Sequence, residues 1–412
     1  MRLIIFAIFF LTTAFNFFLM FLTYSRRNAP LPENVKDVYD KDTYKKNQEY
    51  KMENLRFSIV SGIIGAVVTL LFLAFNFHFA LYRFISVRTS NIYWTSLFIM
   101  CVPLVIATFI DTLTSIYDTF VIEEKFGFNK TTPKIFILDF VKSLAITLVL
   151  IGGLLSLFVF LYSLMGNMVF LAFFFVLLAL NMLIRFISPF LIRIFYKLTP
   201  LEEGELKDKI EAFATKTGYK LKGIYVVDAS KRSTKMNAFA TGYGKTKTIG
   251  LFDTLIEKMT HDEIIGVLAH EVGHAKKLHM VKSAPLSFLI SAVLLLAAYF
   301  IVTQPAVSQA FGFPDVNLAF GLFIMTIMVS PLMVVASIPQ NILSRKYEYE
   351  ADAFEVEHVG ADVAIASMKK IYRESLGNLT PHPFVTMIED SHPPASQRIA
   401  AMEKLRNKPE EV

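Results

Sequence analysis

The chain has 412 residues, 54% of them hydrophobic and 14% aromatic against only 18% charged, with a formal charge of +6. Together with a mean hydropathy of +0.50, these values exclude disordered, fibrous and disulfide-scaffold classes and describe a multi-pass membrane protein rather than a string of soluble domains. Lys and Arg gather beside apolar runs, as orientation in a membrane demands, which argues against nucleic-acid binding, and the single cysteine, Cys101, permits neither an intrachain disulfide nor a Cys-pair metal site.

A helix needs about 20 mostly apolar residues to cross a bilayer, and windows of that length predict seven spans, beginning near Leu3, Phe57, Asn91, Leu138, Met168, Pro285 and Leu318. The first, over 3–23, is longer than a signal-peptide core and no small-residue cleavage site precedes Tyr24-Ser25-Arg26-Arg27, so it reads as an anchor. The loop 25–56 is rich in Lys and Arg, whereas 305–317 has neither. By the positive-inside rule the first faces the cytosol, which puts the N-terminus outside and the C-terminus inside. The polar stretches 116–134 and 198–280 then fall inside; Arg83 and Arg88 fall outside, against the rule.

Four regions result: 1–197 with spans one to five, a cytosolic insert over 198–282, spans six and seven over 283–343, and a cytosolic region over 344–412. In the insert, Thr199 with Pro200 and Glu202 looks like a helix start, and Leu206, Ile210 and Phe213 recur on one helical face. Strand patterns follow over 223–227, 237–243 and 248–252, with a turn at Gly242 and Gly244. A helix is predicted over 261–280, opened by Thr260 with Glu263 three residues on. The last region starts helical and is broken by Pro381, Pro383, Pro393 and Pro394. Within the spans, Asp111, Asp139, Lys142, Arg185 and His78 are costly in lipid and are expected to face one another or a wet cavity.

The chemistry-bearing run is His270-Glu271-Val272-Gly273-His274, the HExxH pattern. On a helix, residues four apart share a face, so both imidazoles reach one Zn²⁺ and the Glu between them can hydrogen-bond a metal-bound water, a geometry that suits hydrolysis. A zinc protease needs a third protein ligand and an open position. Glu348 is the best candidate, with Asp352 on the same helical face to accept a ring proton of a ligating His. Spacing alone leaves open that Glu348 and Asp352 only pair with Arg345 or Lys346. Glu350 is expected to point elsewhere, and His261, His279, His358 and His382 to be surface residues.

His270-Glu271-Val272-Gly273-His274 combined with Ser344-Arg345-Lys346-Tyr347-Glu348-Tyr349-Glu350-Ala351-Asp352 resembles the type I CaaX prenyl protease family of integral-membrane zinc metalloproteases. The resemblance extends through Tyr117 to Lys130, Asn237-Ala238, Leu251 to Leu255 and Ser391-His392-Pro393-Pro394. It implies a mainly α-helical membrane fold, seven transmembrane helices enclosing a chamber, with a small cytosolic α+β metalloprotease region. Residue by residue it implies His270, His274 and Glu348 as ligands of one Zn²⁺ per chain and Glu271 as base. It also implies His392 and Arg398 as stabilisers of the oxyanion, and Asn237 with Ala238 at the substrate strand.

The expected activity is cleavage near the C-terminus of a peptide or protein substrate, prenylated or not, tethered to membrane lipid; in eukaryotic members the last three residues of a CaaX protein are removed. The expected setting is a bacterial inner membrane, or the endoplasmic reticulum if the source is eukaryotic, with the active site on the cytosolic side. A monomer suffices. An intramembrane site-2 type protease fits less well, because Asp262, Glu263, Lys276 and Lys277 put the motif helix at the membrane surface. A shorter heat-shock metalloprotease lacks so many spans. The non-enzymatic alternative is a chamber-forming transporter or holdase, which has no need of Glu271 beside its ligands.

Overall fold

The computed structural model describes residues 1–241 and 247–406, without the side chains of 181, 182 and 185–189. The expected turn at Gly242 and Gly244, and the side chain of Arg185, lie outside the described residues. Among those described, six helices are long and apolar enough to cross a membrane: Arg2–Ser25, Lys41–Ala74, Ile92–Phe126, Pro133–Leu180, His279–Val302 and Leu318–Val359. The fourth is 48 residues, about 72 Å at the helical rise and too long for one crossing. Gly166 interrupts it with φ +55°, and helix resumes over Val169–Phe195. The spans expected near Leu138 and Met168 lie on either side of this break.

These helices expose apolar side chains such as Leu3, Leu11 and Val149 on their outer surfaces, as helices bathed in lipid do. Inside, two cavities adjoin. One, of about 560 Å³, is lined by Asp111, Thr112, Ser115, Asp139 and Ser143. The other, of about 540 Å³, shares Asp111 and is otherwise mostly apolar, with His78, Met100 and Phe323 in its wall. Asp111 and Asp139 therefore face cavities, as their cost in lipid requires. Arg232 meets Asp139 in a fork at 2.7 and 3.0 Å and donates to the Phe195 carbonyl at 2.6 Å. Lys142 Nζ stands 3.7 Å from Asp139, while His78 is buried and stacks on Phe323 at 4.0 Å.

The insert holds a four-stranded sheet of β1 (Leu198–Pro200), β2 (Leu221–Val227), β3 (Ala238–Thr241) and β4 (Lys247–Phe252), in the order β1-β2-β4-β3. β2 and β4 are parallel; the outer pairs are antiparallel. The expected helix start at Thr199 is corrected here: Thr199 and Pro200 belong to edge strand β1, where a proline's missing N–H costs no ladder bond. The helix is Glu205–Lys216, entered through Gly204, with Leu206, Ile210 and Phe213 buried on the predicted face. Residues 128–130 pair with the chain entering β3 through Lys130 N to Arg232 O and Thr234 N to Phe128 O, both 3.0 Å.

The HExxH helix (His261–Lys276) packs its Ile264, Leu268 and Val272 on this sheet. Its other face meets a 42-residue helix, Leu318–Val359, that runs unbroken across the expected boundary at 343/344. The two backbones approach closely at Gly273, where a Cβ would stand 3.1 Å from Phe354 Cβ and 3.2 Å from Ala351 Cα. Gly273→Ala is therefore expected to destabilise the protein by about 1–3 kcal/mol, read as a lowered Tm in detergent. An unchanged Tm would show that the two helices can part without cost.

Candidate active site

The HExxH helix is opened by the predicted capping box: Glu263 N donates to Thr260 Oγ1 at 3.3 Å and Thr260 N donates to Glu263 Oε2 at 2.8 Å. It ends sooner than expected. Leu278, with φ +56°, breaks it, and a short helix His279–Lys282 follows. The break turns His279 back against His274.

His270 Nε2 and His274 Nε2 stand 3.1 Å apart. Glu348 puts one carboxylate oxygen 3.5 Å from the first and the other 3.3 Å from the second. Candidate donor atoms from these three residues all lie within 4.8 Å of one another. Glu348 Oε2 is buried and accepts no well-aligned hydrogen bond, with only His270 Nε2 and Arg398 Nη1 beside it. Two imidazoles and a carboxylate, with one buried oxygen unsatisfied, are a donor set that fits a divalent cation. Burial opposes a charge on His270, but the Asp352 and Glu348 carboxylates beside its ring outweigh it and raise its pKa to about 9. A cation at Nε2 would displace that proton.

Asp352, fully buried, takes His270 Nδ1 at 3.0 Å. Arg398 secures Asp352 through Nε at 2.8 Å and Nη2 at 2.5 Å, and its Nη1 lies 3.2 Å from Glu348 Oε2. Those contacts commit most of the Arg398 guanidinium to the ligand cluster. His392 is freer, its side chain 61% exposed and Nε2 3.4 Å from Glu348 Oε1. Glu271 lines a cavity of about 200 Å³ together with His270, Glu348, His392, Asn237 and Ala238. Burial raises its pKa above the usual carboxylate value. The sequence-expected residues thus come together in one cleft, floored by the HExxH helix and bordered by β3, whose outer edge carries no partner strand among the described residues.

Residues 200–406 match the family described as peptidase family M48, and residues 20–197 match the family described as CAAX prenyl protease N-terminal, five membrane helices. The chain is 30% identical to CAAX prenyl protease 1 of Saccharomyces cerevisiae, over 96% of this chain and 93% of that protein. Its identity to the Homo sapiens CAAX prenyl protease 1 homolog is 29%, over 91% and 89%. In three dimensions it is similar to the crystal structure of S. mikatae Ste24p, with a TM-score of 0.92, 28% identity, and coverage of 98% of this chain and 99% of that one. The chain belongs to the M48 peptidase family. It is a multi-span membrane metallopeptidase acting on a peptide or protein substrate.

Two features of this peptidase escape the sequence expectation. His279 is no surface residue but is buried against His274; Glu350 does point away from the face of Glu348 and Asp352, as expected, and its Oε2 lies 3.1 Å from His279 Nε2. Glu355 is buried in the same cavity as Glu271; it continues the helical face of Glu348 and Asp352 at the next turn, a periodicity that could have revealed it. His261, His358 and His382 do stand away from the cleft: His261 pairs with Glu205, His358 stacks on Phe354, and His382 caps the helix Pro383–Glu389. Removing Arg398 strands the Asp352 charge, so Arg398→Leu should cost about 3–5 kcal/mol. His392→Ala, at an exposed side chain, should stay within about 0.5 kcal/mol of the parent. Thermal unfolding of both variants in detergent checks the contrast.

Proposed function

We propose that the chain is a zinc endopeptidase that cleaves near the C-terminus of CaaX-type or other membrane-associated proteins, with His270, His274 and Glu348 holding one Zn²⁺ and Glu271 as general base. The observation that carries this reading is the convergence of the two imidazoles and the Glu348 carboxylate beside Glu271 in a cleft. Histidine and carboxylate donors suit zinc, with one position left open. Zinc, when bound, supplies Lewis acidity towards a water and the scissile carbonyl.

Glu271 takes the proton of the attacking water and delivers it to the departing amine; burial, which raises its affinity for protons, suits both steps. Asp352, held by Arg398, keeps His270 oriented. Since Arg398 is engaged by Asp352 and Glu348, the exposed His392 is the better placed of the two to offset charge on the carbonyl oxygen. The outer edge of β3, which pairs with no other strand among the described residues, with Asn237 and Ala238 at its start, suits an extended peptide added as a further strand. The basic loop 25–56 supports a cytosolic cleft.

An edge strand binds main chain, with no demand for a lipid, which favours a second reading: quality-control cleavage of membrane proteins without a prenyl requirement. Mass spectrometry of products from farnesylated and unmodified CaaX peptides, incubated with the zinc-loaded protein in detergent, separates the two. Release of the three-residue tail from the farnesylated peptide alone supports the first; equal cleavage of both supports the second. Glu271→Gln is expected to retain zinc and lose turnover by at least about 100-fold. Turnover at the parent rate would remove Glu271 from the chemistry.

A further inference from the structure

His274 has an inner neighbour that the proposed reaction does not use. His279 is 4% exposed, and its Nδ1 lies 3.0 Å from His274 Nδ1. On its far side Nε2 lies 3.1 Å from Glu350 Oε2. Its ring lies flat on Tyr347, centroids 4.2 Å apart and planes 8° apart. A cavity of about 300 Å³ opens beside His274 on this flank, so close packing does not by itself fix the His274 ring.

Hydrogen-bond roles along this chain follow from its end. Glu350 is a carboxylate, with Lys346 Nζ 3.9 Å from its other oxygen, and a carboxylate only accepts. The proton of a neutral His279 is then on Nε2, which leaves its Nδ1 as an acceptor. His274 must therefore donate from Nδ1, and its Nε2 keeps a lone pair. We infer that His279, braced by Glu350, is a positioning residue that sets the tautomer and ring plane of His274, presenting its Nε2 to the metal. Asp352 does the same for His270 through Nδ1 at 3.0 Å. In a loaded site neither Nε2 would then bear a proton, and the two nitrogens, 3.1 Å apart in this structure, would both offer a lone pair to one cation. The opposite order, with His279 donating from Nδ1, would put the proton of His274 on Nε2 and block it.

The inference rests on the metal site proposed above, and its test separates the two. Zinc affinity of the full-length protein in detergent is measured by competition with a chelator, with folding checked by thermal unfolding. Glu350→Gln keeps the shape but can donate to His279, favouring the blocking tautomer; His279→Leu removes the link altogether. Each is expected to weaken zinc binding by about 10-fold or more, and Glu350→Gln to shift the visible bands of the cobalt-substituted protein at full occupancy. His279→Gln, whose amide can accept from His274 and donate to Glu350, should recover part of the loss. Tyr347→Leu removes the stacking and leaves both hydrogen bonds, so its affinity should stay close to that of the parent. Parent-like affinity in Glu350→Gln and His279→Leu overturns the inference and leaves the zinc site intact. An equal loss in Tyr347→Leu also overturns it, assigning the effect to packing. A parent protein that binds no zinc overturns the proposed function and the inference with it.

Discussion

The close crossing of two helices at Gly273 is the contact on which the cleft depends. Without a side chain there, the HExxH helix lies against Ala351 and Phe354 of the long helix, and that approach brings Glu348 within 3.3 and 3.5 Å of the two imidazoles. A second close approach seven residues earlier, at Gly266, faces Ser367 and Glu355. Two glycines on one helical face thus set the depth at which the motif helix sits. Three donors from two distant stretches of chain are aligned by backbone contact before any cation contributes.

Charge in the cleft is arranged in layers around that crossing. Asp352 and Arg398 form a buried fork behind His270, while His279 and Glu350 stand behind His274. A buried charge pair of this kind adds little net stability when intact, because desolvation offsets attraction, but it is costly to break. Its value here is positional. A similar device recurs at the membrane boundary, where Arg232 from the insert grips Asp139 and the last carbonyl of Val169–Phe195. The soluble sheet is thereby fastened to the helices beneath it.

Composition and apolar run length made the membrane class plain, and the four-residue spacing of His270 and His274 with Glu271 between them made a metal site legible without coordinates. The pairing with Glu348 was legible only through family resemblance, since spacing leaves that carboxylate free to pair with Arg345 or Lys346. The position of His279 was hidden because it depends on one residue: Leu278 takes a left-handed conformation that apolar L-residues rarely adopt, and a pattern read as continuous helix over 261–280 puts His279 on the wrong face. Thr199 and Pro200 misled for a related reason. Their capping pattern is a local preference, and pairing with β2 overrode it.

The unbroken helix Leu318–Val359 has one further consequence. The same rod carries an apolar stretch suited to a bilayer and, some turns later, Glu348 and Asp352. Each residue along it adds about 1.5 Å and 100°. A single insertion between Pro339 and Ser344 would raise Glu348 by that step and swing it away from the two histidines. This stretch therefore has a fixed length and phase. It works as a gauge that holds Glu348 and Asp352 at one distance and one angle from the apolar stretch of the same helix.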